Sequence, residues 1–410
     1  MSSPDANLAY LEARYAPSLR PFDGPLIPQA LMAEAEHGTG LSNWGGPQFG
    51  EAGFRHRLEV ICQSMGAEAA LNAVGRSRAH SRLYFNLCGR LSVVDWHSRH
   101  PQQPPILDPL IGTGLSRAGT SFFHQLLAQD PENVTGPMAA CMIPTPPPGD
   151  EAFDRARYAF VGRLQDFHGL RAPEIEAVHP FQPENAAECL AMQASAIGTE
   201  YQAFFSIPTF IKLANADAAE LLRWEMAVMQ VLQSGASDRH WLLKTPHHMA
   251  HLDPLIEVFP KARLFFNHRD PAKVIPSICN LFKTFYSLNT DRQLDIDLGA
   301  LAKGMCVGNA ATLARVSAWR EAHPDVTVVD VHYKRMTADP IGEAERVYDA
   351  FGLTLSAKAR ERMSDFLEVN RHAHGPKHDY SLADFGLTEQ DVEDALGPYL
   401  DAYGVQRERG

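Results

Sequence analysis

Pro109-Leu-Ile-Gly-Thr-Gly-Leu-Ser-Arg-Ala-Gly-Thr-Ser-Phe-Phe-His124 is the stretch that decides the fold class of this chain. Its apolar run, Leu110 to Thr113, stands behind a proline, which a strand tolerates at its start. A glycine-bearing turn follows, Gly114 to Gly119, and Thr120 to Gln129 reads as a helix. Strand, glycine turn and helix N-terminus together present backbone N–H groups to an anion, and the helix dipole adds to the attraction. Thr120 and Ser121 add hydroxyls. The nucleoside-triphosphatase loop ends in Gly-Lys-Ser/Thr, its lysine on the β/γ-phosphates. Here Gly119 meets Thr120 directly, and the cation is Arg117, two residues earlier.

Working outward from the loop, strands alternate with helices. Trp241 to Lys244 is a short buried strand stopped by Pro246, and Leu252, Leu255, Ile256 and Phe259 trace a helix face. Arg263 to Asn267 is a strand, and Ile275, Ile278, Cys279 and Phe282 fit another helix face. Val326 to Val331 is a β-branched strand, followed by a helix from Glu343 to Phe351 closed by Gly352. The expected fold class is therefore α/β, a P-loop-like parallel sheet flanked by helices. Asp217 to Ser234 is expected as a helix, capped by Asp217 and ended by Gly235. The prolines at 144 and 146–148 forbid regular structure there.

The first hundred residues lack strand alternation. Phe54 to Ile61, Ala67 to Leu91 and Val93 to Trp96 read as helical, interrupted by the turn-rich Gly40 to Pro47. The expected division is a helical N-terminal region over 1–104, a lid or packing layer, and an α/β domain over 105–410, entered through Gln102-Gln103-Pro104-Pro105.

Ligands in such sheets sit at the carboxyl ends of strands, and those ends carry Arg117, Lys244, Arg269 and Tyr333. Ser277 follows Arg269 by two helical turns, so one cation and one hydroxyl can converge on a second anion. A glycine loop and an Arg–Ser pair imply a ligand phosphorylated at two ends. A triphosphate would need a magnesium carboxylate after an apolar strand, and none follows one here.

Composition narrows the classes further. The 410 residues exceed what one core usually holds. A formal charge of -12 argues against a broad nucleic-acid surface while permitting a local cationic pocket. Cysteines 62, 88, 141, 189, 279 and 306 are scattered without metal-ligand spacing and read as reduced thiols of a cytoplasmic protein. No signal peptide is expected from the residues Met1-Ser-Ser-Pro-Asp, and no apolar run reaches the ~18 residues of a membrane span. His247, His248 and His251 lack an HExxH pattern, so no metal is expected.

With these residues in place, the chain resembles the sulfotransferases that use 3′-phosphoadenosine 5′-phosphosulfate (PAPS), in particular their bacterial branch with a Pro-Arg-Ser-Gly-Thr-Thr loop. The resemblance runs from about Pro109 to Tyr403 and extends to the helical N-terminal part. Ser116-Arg-Ala-Gly-Thr-Ser121 stands for the 5′-phosphosulfate loop, and His268-Arg-Asp-Pro-Ala-Lys-Val-Ile-Pro-Ser277 for the 3′-phosphate site. Val331-His-Tyr333 stands near the segment whose tyrosine lies by the adenine. Lys377-His-Asp-Tyr-Ser381 and Phe385-Gly-Leu resemble the C-terminal element.

The resemblance implies sulfonyl transfer from PAPS to the hydroxyl of a small lipophilic acceptor, without a metal. The donor would contact Arg117, Ala118, Gly119, Thr120, Ser121, Arg269, Ser277, Tyr333 and Lys377, with Arg117 and Lys244 stabilising developing charge. The loop departs from the family pattern at Ser116, Ala118 and Ser121. Pro246 stands where the animal cytosolic branch has its catalytic histidine. The resemblance to the bacterial branch, whose base is a histidine in the segment after the loop, implies His179 as base, with Glu184 or Glu188 able to orient it and His247 in reserve. Phe122, Phe123, Phe204, Phe205 and Trp224 are candidates for an apolar acceptor pocket, most of them also suited to a core. Two other classes remain: a P-loop phosphoryl-transfer enzyme, and a sulfotransferase-like protein with lost or altered chemistry. Oligomeric state is not legible.

Overall fold

The computed structural model describes residues 3–103, 105–233, 239–291, 298–370 and 381–408. Pro104, Ser234, Gly235 and Lys377 lie outside these. The chain packs as two compact units. One is assembled from Met1–Ile106, Gly136–Ser237 and Phe282–Gln293, the other from Leu107–Thr135, Asp238–Leu281 and Leu294–Gly410. Segment 136–237 thus packs with the N-terminal helices.

The first unit is helical and is built around the 27-residue helix Ala73–Arg99, which Asn72 caps by accepting the Gly75 N–H at 2.7 Å. Its buried cations are paired, as burial demands. Arg90 donates to the carbonyls of Trp44 and Phe49 and lies over the Phe54 and Trp224 rings. Arg57, fully buried on the helix Glu51–Ala67, donates to Asp217 and Glu220 at 2.7 Å each. That bond corrects the expected cap: Asp217 does precede the helix Ala218–Leu232, but its side chain makes no capping bond. A single helix over Ala67 to Leu91 is also corrected. The chain breaks after Ala67, with Ala70 at φ 48°, and resumes at the Asn72 cap.

The second unit contains a five-stranded parallel sheet in the order β2-β3-β1-β4-β5: β1 Leu110–Gly114, β2 Asn133–Val134, β3 His240–Lys244, β4 Arg263–His268 and β5 Val328–His332. All five residues of β1 are buried, which is why this strand reads as a continuous apolar and small run rather than an alternation. Leu110, Leu242, Phe265, Val329 and Val331 pack under Phe123, Leu126 and Leu127 of the helix Thr120–Leu127. Ala344, Val347 and Tyr348 of the helix Pro340–Ala350 join the same core. β5 begins at Val328 rather than Val326, whose N–H turns back to the His323 carbonyl at 3.1 Å.

The chain passes from β1 to the edge strand β2, returns to fill β3 between them, and then crosses to β4 on the other side of β1, so the order reverses at β1. Its carboxyl end is the switch point at which such sheets hold ligands. Register there leaves no slack: Gly114 lies opposite Asn267 with φ 121°, and a Cβ at Gly114 would stand 2.4 Å from the Asn267 carbonyl oxygen. No helix among the described residues is long and apolar enough to cross a membrane.

Gly114→Ala should therefore destabilise the protein by roughly 2 kcal/mol or more, because both the backbone angle and the space are wrong. Gly304→Ala, in the interior of the helix Leu298–Ala322 where a Cβ meets nothing within 4 Å, should instead gain about 0.5–1 kcal/mol. Urea unfolding midpoints of the two variants against wild type check the contrast. Equal shifts would show that the β1–β4 approach is not tight.

Candidate active site

The turn after β1 is short and tightly tied. Ala118 N–H donates to the Leu115 carbonyl at 3.2 Å, and Arg117 adopts a left-handed conformation, φ 65°, unusual for a side-chain-bearing residue. Two contacts hold it there. Arg117 Nε donates to Ser277 Oγ at 3.0 Å, and the Arg117 carbonyl accepts from Arg269 Nη1 at 3.0 Å. Gly119, φ 80°, then opens the helix Thr120–Leu127; a Cβ there would stand 3.0 Å from the Tyr333 ring and 2.5 Å from Met336. Ala118 is fully buried.

The neighbouring strand ends bring the remaining charges. Lys244, the last residue of β3, is 2% exposed, and its Nζ donates to Ser121 Oγ at 3.0 Å. Arg269 follows β4 directly and lies over the Tyr333 ring, 3.8 Å from its centroid. Its Nε and Nη2 donate to the two carboxylate oxygens of Glu408 at 3.0 and 3.2 Å. Asp270 accepts the Ala272 N–H at 2.9 Å, at the start of the helix Pro271–Ser287, and also receives the Glu408 backbone N–H. A cleft of about 220 Å³ lies between the ends of β4 and β5 and the segment that carries Gly404, Val405, Gln406 and Glu408.

Beneath Arg269 runs a polar network. His268 is fully buried; its ring nitrogens meet Asp330 Oδ1 at 2.9 Å and the Tyr399 hydroxyl at 3.0 Å. Arg320 donates to both Asp330 oxygens, at 2.7 and 3.0 Å. Burial alone would raise the Asp330 carboxyl, but the hydrogen bonds from His268 and Arg320 hold it well below the usual carboxylate range. Burial pulls His268 down, against the Asp330 hydrogen bond, so the imidazole is favoured neutral.

A tight glycine turn, a lysine on its serine and an arginine at the next strand end, with Ser277 bonded to the turn's own Arg117, thus meet in one unit. The sulfotransferase family model matches residues 109–357, more than half of the chain and the stretch that holds this constellation. The chain belongs to the sulfotransferase family. This sulfotransferase is 26% identical over 355 residues to the omega-hydroxy-beta-dihydromenaquinone-9 sulfotransferase Stf3 of Mycobacterium bovis, spanning 82% of this chain and 87% of that protein. Stf3 of Mycobacterium tuberculosis matches with the same figures. Among solved structures, sulfotransferase STF9 from Mycobacterium avium superposes with a TM-score of 0.83 at 25% identity, over 95% of this chain and 100% of that one. STF1 from Mycobacterium tuberculosis H37Rv has the same fold at a TM-score of 0.72 and 24% identity, over 90% and 98% of the two chains.

Arg117, Ser121, Lys244, Arg269, Ser277 and Tyr333 are brought together around the loop of this sulfotransferase, with Ala118, Gly119 and Thr120 forming the turn itself. His179 belongs to the other unit, where it ends the helix Pro173–Val178 and its ring packs edge-on against Phe181 at 4.8 Å. Glu184 and Glu188 lie in that unit too. His247 lies just past β3, its ring 5.4 Å from that of His251. Lys377 lies outside the described residues. Phe123, Phe204, Phe205 and Trp224 are buried: Phe123 in the sheet core, Trp224 beneath Arg90.

Asp330 and Glu408, which pair with His268 and Arg269 at the candidate site, are residues that sequence reasoning missed. Asp330 carried a signal, a charge alternating with buried Val329 and Val331 along β5, while Glu408 carried none. The folded Asp330 carboxyl sits below its unfolded value near about 3.9, so its stabilisation is complete above that pH and lost as pH falls through the folded value. Asp330→Asn should cost on the order of 2 kcal/mol at pH 7, and the gap to wild type should narrow below about pH 4. Urea unfolding at pH 7, 5 and 3.5 tests this; a gap unchanged with pH would mean the carboxylate's charge is irrelevant.

Proposed function

We propose that this sulfotransferase takes its sulfonyl group from PAPS and passes it in line to the hydroxyl of a small lipophilic acceptor, with His179 as general base. The observation that carries the donor reading is the Arg117–Ser277 bond, which ties the glycine turn to the helix following Arg269. A ligand with anionic groups at two ends suits a turn and an Arg–Ser pair so joined. Glu408 supports the second anion position, since a carboxylate already rests on Arg269.

PAPS supplies the transferable sulfonyl group, and the chain's residues do the rest. The turn's N–H groups, Thr120 and Ser121 would hold the 5′-phosphosulfate, while Arg269 and Ser277 would hold the 3′-phosphate. Tyr333 would flank the nucleoside, and Lys377 would complete the C-terminal side. Arg117 and Lys244 would balance charge that builds on the departing oxygen and the sulfonate, following the electrostatic logic of phosphoryl transfer. His179 would accept the acceptor hydroxyl's proton, a task suited to an imidazole. With the positive charge supplied by side chains, turnover is expected to persist in EDTA. A hydroxylated lipophile is favoured as acceptor because the Stf3 relatives are named for an omega-hydroxy menaquinone.

Calorimetry without magnesium should show adenosine 3′,5′-bisphosphate (PAP) binding tightly and ATP weakly, with PAP binding collapsing in Arg117→Ala and Ser277→Ala. His179→Ala should keep PAP binding while turnover of PAPS falls by about 10²–10⁴-fold. ATP preferred only with magnesium would overturn the donor assignment. Undiminished turnover in His179→Ala would move the base elsewhere, His247 being the next candidate.

A further inference from the structure

The guanidinium of Arg269 is fully engaged along one edge. It has five N–H donors. Nη1 donates to the Arg117 carbonyl, and the Nε–Nη2 edge is taken by the fork of the Glu408 carboxylate. Tyr333 covers one face at 3.8 Å. Forked pairing of this kind is the geometry by which arginine also recognises phosphate. A phosphate seeking the same edge therefore meets a carboxylate already in place.

The surroundings allow an exchange without the segment unravelling. The helix Glu389–Tyr403 ends at Gly404, φ 60°, and Val405 is buried, its N–H on the Leu400 carbonyl at 2.9 Å. Lys334 Nζ donates to the Arg407 carbonyl at 3.0 Å, the Arg407 guanidinium pairs with Glu393, and Asp270 receives the Glu408 N–H. Backbone 404–408 is thus held at several points, whereas the Glu408 side chain rests on Arg269. Rotation of one side chain uncovers the guanidinium.

We infer that Glu408 is an affinity-setting residue for the donor nucleotide: its carboxylate stands where the 3′-phosphate binds on Arg269 and is exchanged for it at each binding event. This rests on the PAPS reading proposed above. Between turnovers Glu408 keeps Arg269 oriented toward the Arg117 carbonyl, so the turn stays formed without a ligand. When a nucleotide enters, the Arg269–Glu408 pair must be broken. Substrate and product nucleotides are both held less tightly for that reason, and the product leaves faster. A nucleotide lacking the 3′-phosphate leaves the pair intact and bears no such cost.

Calorimetric titration of the full chain at fixed ionic strength, with PAP and with AMP, tests the exchange in wild type, Glu408→Gln, Arg269→Ala and the double variant. Glu408→Gln should bind PAP about tenfold tighter, the scale of a charge-assisted pair, with AMP affinity unchanged. Arg269→Ala should weaken PAP, and adding Glu408→Gln to it should recover nothing. Unchanged or weaker PAP binding in Glu408→Gln, alongside loss in Arg269→Ala, would overturn the exchange and leave the PAPS reading standing. Equal tightening of AMP would reduce Glu408 to a general negative charge and also overturn it. No PAP binding by any of the four proteins would remove both. If Glu408→Gln melts early, Glu408→Asp, one methylene too short for the fork, is read by the same criteria.

Discussion

A single left-handed residue, Arg117, is the constraint from which the rest of the site follows. A side chain in that conformation costs roughly 1–2 kcal/mol and persists when its surroundings hold it. The holding groups come from elsewhere in the chain: Ser277 takes the side chain, and Arg269 takes the carbonyl. Gly114 and Gly119 let β4 and Tyr333 close on the two ends of the same turn. The sheet supplies the position, and these bonds supply the shape.

Much of this was legible in the sequence because parallel sheets place chemistry at one end. Lys244, Arg269 and Tyr333 each follow a short apolar run, so the strand reading located them, whereas the bond from Arg117 to Ser277 spans 160 positions and no spacing announced it. The two-residue β2 was too short to leave a pattern. The helix break at residues 68–72 contains no glycine or proline, and only the Asn72 cap marks it. Asp217 shows the opposite failure: a residue with cap chemistry whose carboxylate is claimed by a buried arginine 160 positions away.

Charge pairing over long separations was least legible. Glu408 reaches Arg269 across 139 positions and His268 reaches Asp330 across 62; no local composition rule points to such pairs. Yet these bonds set the electrostatics beneath the loop. Asp330, held ionised, balances Arg320, while burial keeps His268 neutral against the pull of that carboxylate, so the arginine beside it is not crowded by a second positive charge.

The central place of β1 has a consequence for how the chain is made. β1 pairs with residues 242–244 on one side and 263–267 on the other, so more than a hundred residues must follow it before either edge is covered. During vectorial synthesis the most apolar strand of the sheet therefore waits with both edges open, the state most prone to pair with a stranger. The helical unit is likewise assembled from three separate stretches, the last beginning at Phe282. Neither half can finish early. Slow, late-closing maturation is the expected burden of a topology that puts its first strand in the middle.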